Sequence, residues 1–200
     1  MARIDQDART LRATLVLVGP RDAGSSSLLR TVRDRVPADR RPGDPARAGA
    51  TADPLLDWLP IDLGTITGWR VRVDCYAVSS RTSYDTTRRL LLQEADGLML
   101  VLDSQAGRLE DNLAALRAVQ EQLLDRDGRV RDLPQVCCYT KQDLPEELIL
   151  QPAALDATLN PRGAPSFAVR AVAGENVLES LHALVTLVMR RLVAANGNSA

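Results

Sequence analysis

Apolar and polar positions along the chain follow two periodicities, and the switches between them delimit the elements. Residues 11–18 end in the apolar run Leu15-Val-Leu-Val18 and predict a strand that leads into a glycine-bearing loop. A helix is predicted over residues 25–36. Residues 37–54 are rich in Pro, Gly, Arg, Asp and Ala, lack apolar periodicity, and predict a long mobile loop. Two extended runs follow, residues 55–63 and 69–78, and in the second small or apolar residues alternate with polar ones as in a half-buried strand. Together they predict a hairpin. Residues 84–95 predict a helix. Residues 97–103 are apolar without alternation, as expected of a central strand covered on both faces. Leu109, Leu113, Leu116, Val119, Leu123 and Leu124 form the stripe of an amphipathic helix. Residues 135–140 predict another buried strand, followed by a turn and a short helix, and residues 166–169 a last short strand. Val177, Leu181, Leu184, Val185, Val188 and Leu192 mark the inner face of a closing helix over residues 176–195.

Strands alternating with helices predict an α/β fold: a mostly parallel sheet of about six strands in a three-layer sandwich, with helices on both faces. Two hundred residues suffice for one full core. The chain reads as a single domain over residues 1–200, with residues 1–10 and 196–200 flexible. A net charge of −1 provides no bulk field for nucleic acid or an anionic membrane. Three cysteines without an even framework point to a reducing, cytosolic setting. Cys137 and Cys138 are neighbours in a strand, so they face opposite sides and pack as small hydrophobes. The single histidine, His182, lies within an apolar helical pattern and reads as structural. No His/Cys cluster marks a zinc site. The first residues lack the apolar core of a signal peptide, and no run reaches membrane-spanning length. The expected location is the cytoplasm.

In sheets of this kind ligands bind beyond the carboxyl ends of the strands. The glycine loop, Asp103 and residues 140–143 all fall at such ends. The loop meets the phosphate-binding frame G-x-x-x-x-G-K-[ST] at Gly19, Gly24 and Ser26, but Ser25 stands where the lysine belongs. That lysine reaches the β- and γ-phosphates, and the next hydroxyl, here Ser26, ligates Mg²⁺. Losing a charged hydrogen bond costs about 1.5–3 kcal/mol, roughly 10–150-fold in affinity. The backbone N–H cradle at the helix start still attracts an anion.

The series, taken from the first strand to the last helix, resembles the Ras-superfamily small GTPases, and most closely the bacterial MglA type, which acts in gliding motility and cell polarity. The stretches that carry the resemblance are residues 55–65 (Leu-Leu-Asp-Trp-Leu-Pro-Ile-Asp-Leu-Gly-Thr), residues 84–92 (Tyr-Asp-Thr-Thr-Arg-Arg-Leu-Leu-Leu), residues 95–105 (Ala-Asp-Gly-Leu-Met-Leu-Val-Leu-Asp-Ser-Gln) and residues 139–145 (Tyr-Thr-Lys-Gln-Asp-Leu-Pro). It implies a small-GTPase-like P-loop fold, with GDP or GTP and Mg²⁺ as the conceivable ligands.

Several functional positions of that pattern are altered. A family Thr and a catalytic Arg fall near Asp53 and Ala52, with Thr51 close by. An Asp there would repel a γ-phosphate. The second switch, usually Pro-Gly-Gln, reads Ser79-Ser80-Arg81. Ser80 takes the place of the glycine at the γ-phosphate and Arg81 that of the water-orienting residue. Arginine cannot accept a hydrogen bond from water. The guanine-reading Asn-Lys-x-Asp appears as Thr140-Lys141-Gln142-Asp143. Here the resemblance assigns Asp143 to the guanine N–H groups and the Lys141 stem to the base, while Thr140 loses the amide contact. The last base motif appears as Arg170-Ala171, with Ala171 keeping its N–H. In the glycine loop, Asp22 adds a negative charge and Arg21 offers a replacement cation.

The departures fall on ligand positions while the apolar framework keeps its pattern. The expected function is that of an MglA-like pseudo-GTPase, a protein-interaction or regulatory module with weak or no guanine-nucleotide binding and no catalytic residue of its own. The resemblance implies as partners an MglB-like roadblock-fold protein, an active MglA-type GTPase or a polarity effector. Trp58, Leu59 and Trp69, on or near the hairpin, read either as exposed anchors for such a partner or, equally, as core and hairpin packing. The alternative is a slow or partner-activated GTP-hydrolysing switch. A small kinase is disfavoured because no basic catalytic lid is visible.

Overall fold

The structure, a computed structural model, describes residues 3–5, 8–44, 56–66, 68–78, 85–124 and 131–197. The order of elements is β1 (Arg3–Asp5), β2 (Thr10–Val18), α1 (Ser25–Arg35), β3 (Leu56–Ile66), β4 (Trp69–Val78), α2 (Asp85–Glu94), β5 (Gly97–Asp103), α3 (Leu109–Gln122), β6 (Gln135–Thr140), α4 (Pro152–Leu159), β7 (Ser166–Ala168) and α5 (Val177–Gly197). Six strands run in the spatial order β3-β4-β2-β5-β6-β7. All neighbours pair in parallel except β3 and β4, which form the predicted antiparallel hairpin.

The start of the chain differs from expectation. Residues 1–10 were assigned to a flexible terminus, yet Arg3–Asp5 pairs antiparallel with Thr10, Leu11 and Arg12 as a seventh strand. It fills the side of β2 that β5, paired only from Leu15 onward, leaves open. At the other end α5 continues past residue 195 to Gly197.

Strand alternation divides the core into two layers. Leu15, Leu17, Val73, Met99, Val101 and Cys138 face α1 and α5, meeting Leu28, Leu29, Val32, Leu181, Leu184 and Val188. Val16, Val18, Leu98, Leu100, Cys137 and Tyr139 face α2, α3 and α4, meeting Leu92, Val119, Leu155 and Leu159. Cys137 and Cys138 thus lie on opposite faces, as the period of two requires, and every residue of β5 is buried. This is the expected three-layer sandwich. Burial pushes the Cys75, Cys137 and Cys138 thiols up to about 12, so they stay protonated and act as packing groups.

The hairpin decides between the two readings of its apolar residues. Leu59 is a core residue, not an exposed anchor. Trp58 stacks on Tyr76 with ring centroids 6.3 Å apart and donates Nε1–H to Asp74, and Trp69 packs partly buried against the core. His182, in turn, is exposed on α5 instead of sitting within the core. The segment after α1, expected to be mobile, is docked as far as it is described. Residues Ala38–Arg40 form a 3-10 turn, and the buried Asp44 carboxylate lies 3.3 Å from Arg33 Nε and 2.7 Å from Arg41 Nη1. Arg33 also donates to the Trp58 carbonyl at 3.1 Å, which ties this segment to β3.

Candidate functional site

The carboxyl ends of β2, β5 and β6 lie side by side, and the glycine loop begins where β2 ends. Gly19 is required by close approach: a Cβ there would stand 1.8 Å from the Val101 carbonyl oxygen of β5. Gly24 adopts φ 101°, in the left-handed region that glycine tolerates, and serves as the N-cap of α1. Asp22 is also left-handed, at φ 61°. The first bond inside α1 runs from the Leu28 N–H to the Gly24 carbonyl. The N–H groups of Ser25, Ser26 and Ser27 therefore have no partner within the helix and face outward from its start. No side chain caps them. Ser25 is half-buried, and Ser26 is exposed.

The loop is fastened by the polypeptide itself. Thr140, buried at the end of β6, places its hydroxyl 2.7 Å from the Ala23 carbonyl and 3.0 Å from the Leu102 carbonyl. The residue that lacks an amide for a base thus secures the loop to the sheet. Arg108, just before α3, donates Nη2–H to the Arg21 carbonyl at 2.6 Å. Its guanidinium also pairs with Asp111 and lies 3.6 Å from Asp103 Oδ2. Arg21 pairs with its neighbour Asp22 at 3.4 Å, and both side chains are largely exposed.

Asp103 is the hub of the strand ends and is fully buried. Its Oδ1 accepts the Gln105 N–H at 3.0 Å, and its backbone N–H and carbonyl are both bonded by the Asn112 amide of α3. Lys141 Nζ stands 2.7 Å from Oδ2, an ion pair without the alignment of a hydrogen bond. Lys141 itself is left-handed, at φ 62°, and its ammonium is directed at Asp103 and, at 3.5 Å, Gln105.

The candidate base-contacting residues are less closely gathered. Asp143 is exposed and shares a polar recess with Gln142, Glu146, Arg170 and Glu175. Arg170 bonds the Gln142 carbonyl at 3.0 Å and pairs with Glu175 at 3.1 Å, which joins the two loops. Ala171 is nearly buried, and its carbonyl accepts the Thr31 hydroxyl of α1 at 2.7 Å. Ser80 and Arg81 lie outside the described residues, as do Thr51, Ala52 and Asp53.

The amides at the start of α1 offer donors to an anion, but Ser25 leaves the loop without the lysine charge that a nucleoside triphosphate with Mg²⁺ demands. Arg108 and Lys141 face Asp103 and the loop carbonyl, and Asp22 adds an acidic group beside the cradle. Among the described residues no group of three or more His, Cys, Asp or Glu side chains is placed to hold a metal ion. Sequence reasoning singled out the loop and Asp103 but missed Arg108 and Asn112. Their only signal was polar residues in the first turn of an otherwise amphipathic helix.

No family model matches the chain. It is 29% identical over 194 residues to the Mutual gliding-motility protein MglA of Myxococcus xanthus (strain DK1622), covering 96% of this chain and 98% of that protein. The stretches that carry the resemblance, the parallel sheet with one antiparallel hairpin and the glycine loop at its carboxyl end agree: the chain has a small-GTPase-like fold and is similar to MglA over nearly its whole length.

Proposed function

We propose that the chain is a pseudo-GTPase: a small-GTPase-like protein that works as an interaction or regulatory module, with weak or no guanine-nucleotide binding. The observation that carries this reading is the pairing of charges at the glycine loop. Ser25 occupies the lysine position, and the two cations at the strand ends are engaged by the buried Asp103. Thr140 and Arg108 supply from within the chain the fastening that a bound phosphate would otherwise provide. A loop held in this way keeps its shape without a ligand. The partner would be a protein such as an MglB-like roadblock protein, an active MglA-type GTPase or a polarity effector, acting in the cytoplasm in motility or polarity. The full-length similarity to a gliding-motility protein supports that setting. Among the described residues no helix is long and apolar enough to cross a membrane.

A second reading, a slow or partner-activated GTPase, draws on the three unpartnered N–H groups at the start of α1 and the left-handed Gly24. A partner would then supply the missing cation in trans. Denaturing the purified protein and measuring released guanine nucleotide separates the two, together with titration of labelled GDP and GTP in Mg²⁺. The pseudo-GTPase reading expects no stoichiometric nucleotide and dissociation constants of about 100 μM or weaker, the level to which the upper end of the roughly 10–150-fold cost of a lost lysine would bring a micromolar site. Micromolar or tighter Mg²⁺-dependent binding with multiple turnovers would overturn it.

A further inference from the structure

At the amino ends of β5 and β6, the edge of the sheet away from the glycine loop, a cleft of about 150 Å³ opens between α3 and α4. Its floor is apolar, built from Leu100, Leu116, Val119, Leu123 and Leu159. Its rim carries three arginines in different states. Arg131 is committed to the end of α2, donating to the carbonyls of Leu92, Gln93 and Ala95. Arg162 makes a long, exposed pair with Asp132 at 3.5 Å. Arg117 is exposed and, among the described residues, meets neither a carboxylate nor a carbonyl.

We infer that the cleft binds a small amphipathic carboxylate, an aryl or branched-chain acid. A cavity of about 150 Å³ accepts a body the size of a benzene ring. That is too little for a peptide helix or a nucleotide. The floor selects an apolar body, and the free guanidinium of Arg117, with Arg162 weakly held nearby, selects an anionic head. A neutral hydrocarbon would fill the floor without using the rim, and a fully polar anion would use the rim without filling the floor. The site is independent of nucleotide binding at the glycine loop.

The test titrates phenylacetate and its neutral amide into the full chain while following leucine and valine methyl resonances by NMR. Saturable phenylacetate binding is expected, with shifts centred on Leu100, Leu116, Val119 and Leu159 and with the amide clearly weaker. Arg117→Gln should weaken the acid about tenfold, the scale of one charged hydrogen bond, and leave the amide unchanged. Leu116→Trp should fill the cleft and abolish binding of both. If that variant does not fold, the exposed Arg117→Gln still decides the matter. The inference fails if no saturable shift appears up to about 10 mM. It fails equally if acid and amide bind alike, if Arg117→Gln changes nothing, or if the shifts centre elsewhere.

Discussion

Thr140 illustrates how a single side chain can change its task. Measured against a guanine-reading asparagine, it lacks an amide. In the fold its hydroxyl lies within hydrogen-bonding distance of two carbonyls, Ala23 of the glycine loop and Leu102 of β5, inside a fully buried site. Valine has nearly the same shape and no hydroxyl. Thr140→Val should therefore destabilise the protein by about 1–2 kcal/mol, the cost of leaving buried carbonyls without a donor. Urea denaturation would measure this, and a change within error would contradict the tie. The tie was not legible in the sequence because its two ends are 117 positions apart and no local pattern links them. The same holds for Lys141, which parallel pairing of β5 with β6 brings to Asp103, whereas Arg108 reaches Asp103 locally, through the turn that follows β5. Gly19 and Gly24 were legible, since the frame names positions where backbone approach and left-handed geometry leave no room for a side chain.

Among the elements, β5 and β6 were legible to within a residue because a strand buried on both faces is an uninterrupted apolar run. The hairpin was legible as an element but not in its facing. Its register slips between Asp62 and Gly64, and Leu59 turns inward while Trp58 rests on Tyr76. Trp58 and Leu59 precede that slip and, as neighbours in a strand, take opposite faces; alternation does not say which face meets the core. The short helix α4 is held mainly through one carboxylate. Asp156 accepts from the Tyr139 hydroxyl at 2.7 Å, from Asn160 at 2.9 Å and from Ser166 at 2.8 Å, joining α4 to β6 and β7. Burial pushes the Asp156 pKa up, but bonds from Asn160, Tyr139 and Ser166 outweigh it and hold the group below the ordinary carboxylate range. A lowered folded-state pKa means that the ionised group stabilises the protein above the unfolded value, near pH 4, and that this is lost as pH falls below it. Asp156→Asn should cost about 1–3 kcal/mol at neutral pH. The gap from the parent should narrow as pH falls below about 4. Denaturant melts of both proteins on either side of that pH check it, and an unchanged gap would remove Asp156 from the acid response.

At the scale of the whole molecule, the cations at the glycine-loop end are paired with Asp103 within the chain, while the opposite edge holds an open, cation-rimmed cleft. Thermal stability distinguishes this from a working nucleotide switch, because a ligand stabilises only the state it binds. At millimolar nucleotide a micromolar site would contribute about 4 kcal/mol, and a millimolar site only about 0.4 kcal/mol. For a chain of this size each kcal/mol moves the melting temperature by about 2–4 °C. A site of about 100 μM would contribute about 1.4 kcal/mol, so the parent protein should shift by no more than about 3–6 °C with GDP or GTP and Mg²⁺. Ser25→Lys restores the missing charge directly at the cradle and should recover about 1.5–3 kcal/mol of phosphate binding. At the same nucleotide concentration its melting temperature should rise several degrees more than the parent's. An added Asp103→Asn change frees Lys141 and Arg108 from their buried partner, so it should enlarge the nucleotide-dependent shift while lowering the melting temperature without nucleotide. If the parent alone shifts by about 8 °C or more, the glycine loop already binds nucleotide tightly and the closed-site reading is wrong. If neither variant gains, charge at the loop is not what limits binding, and the obstruction lies with the shape of the cradle or with the altered switch positions.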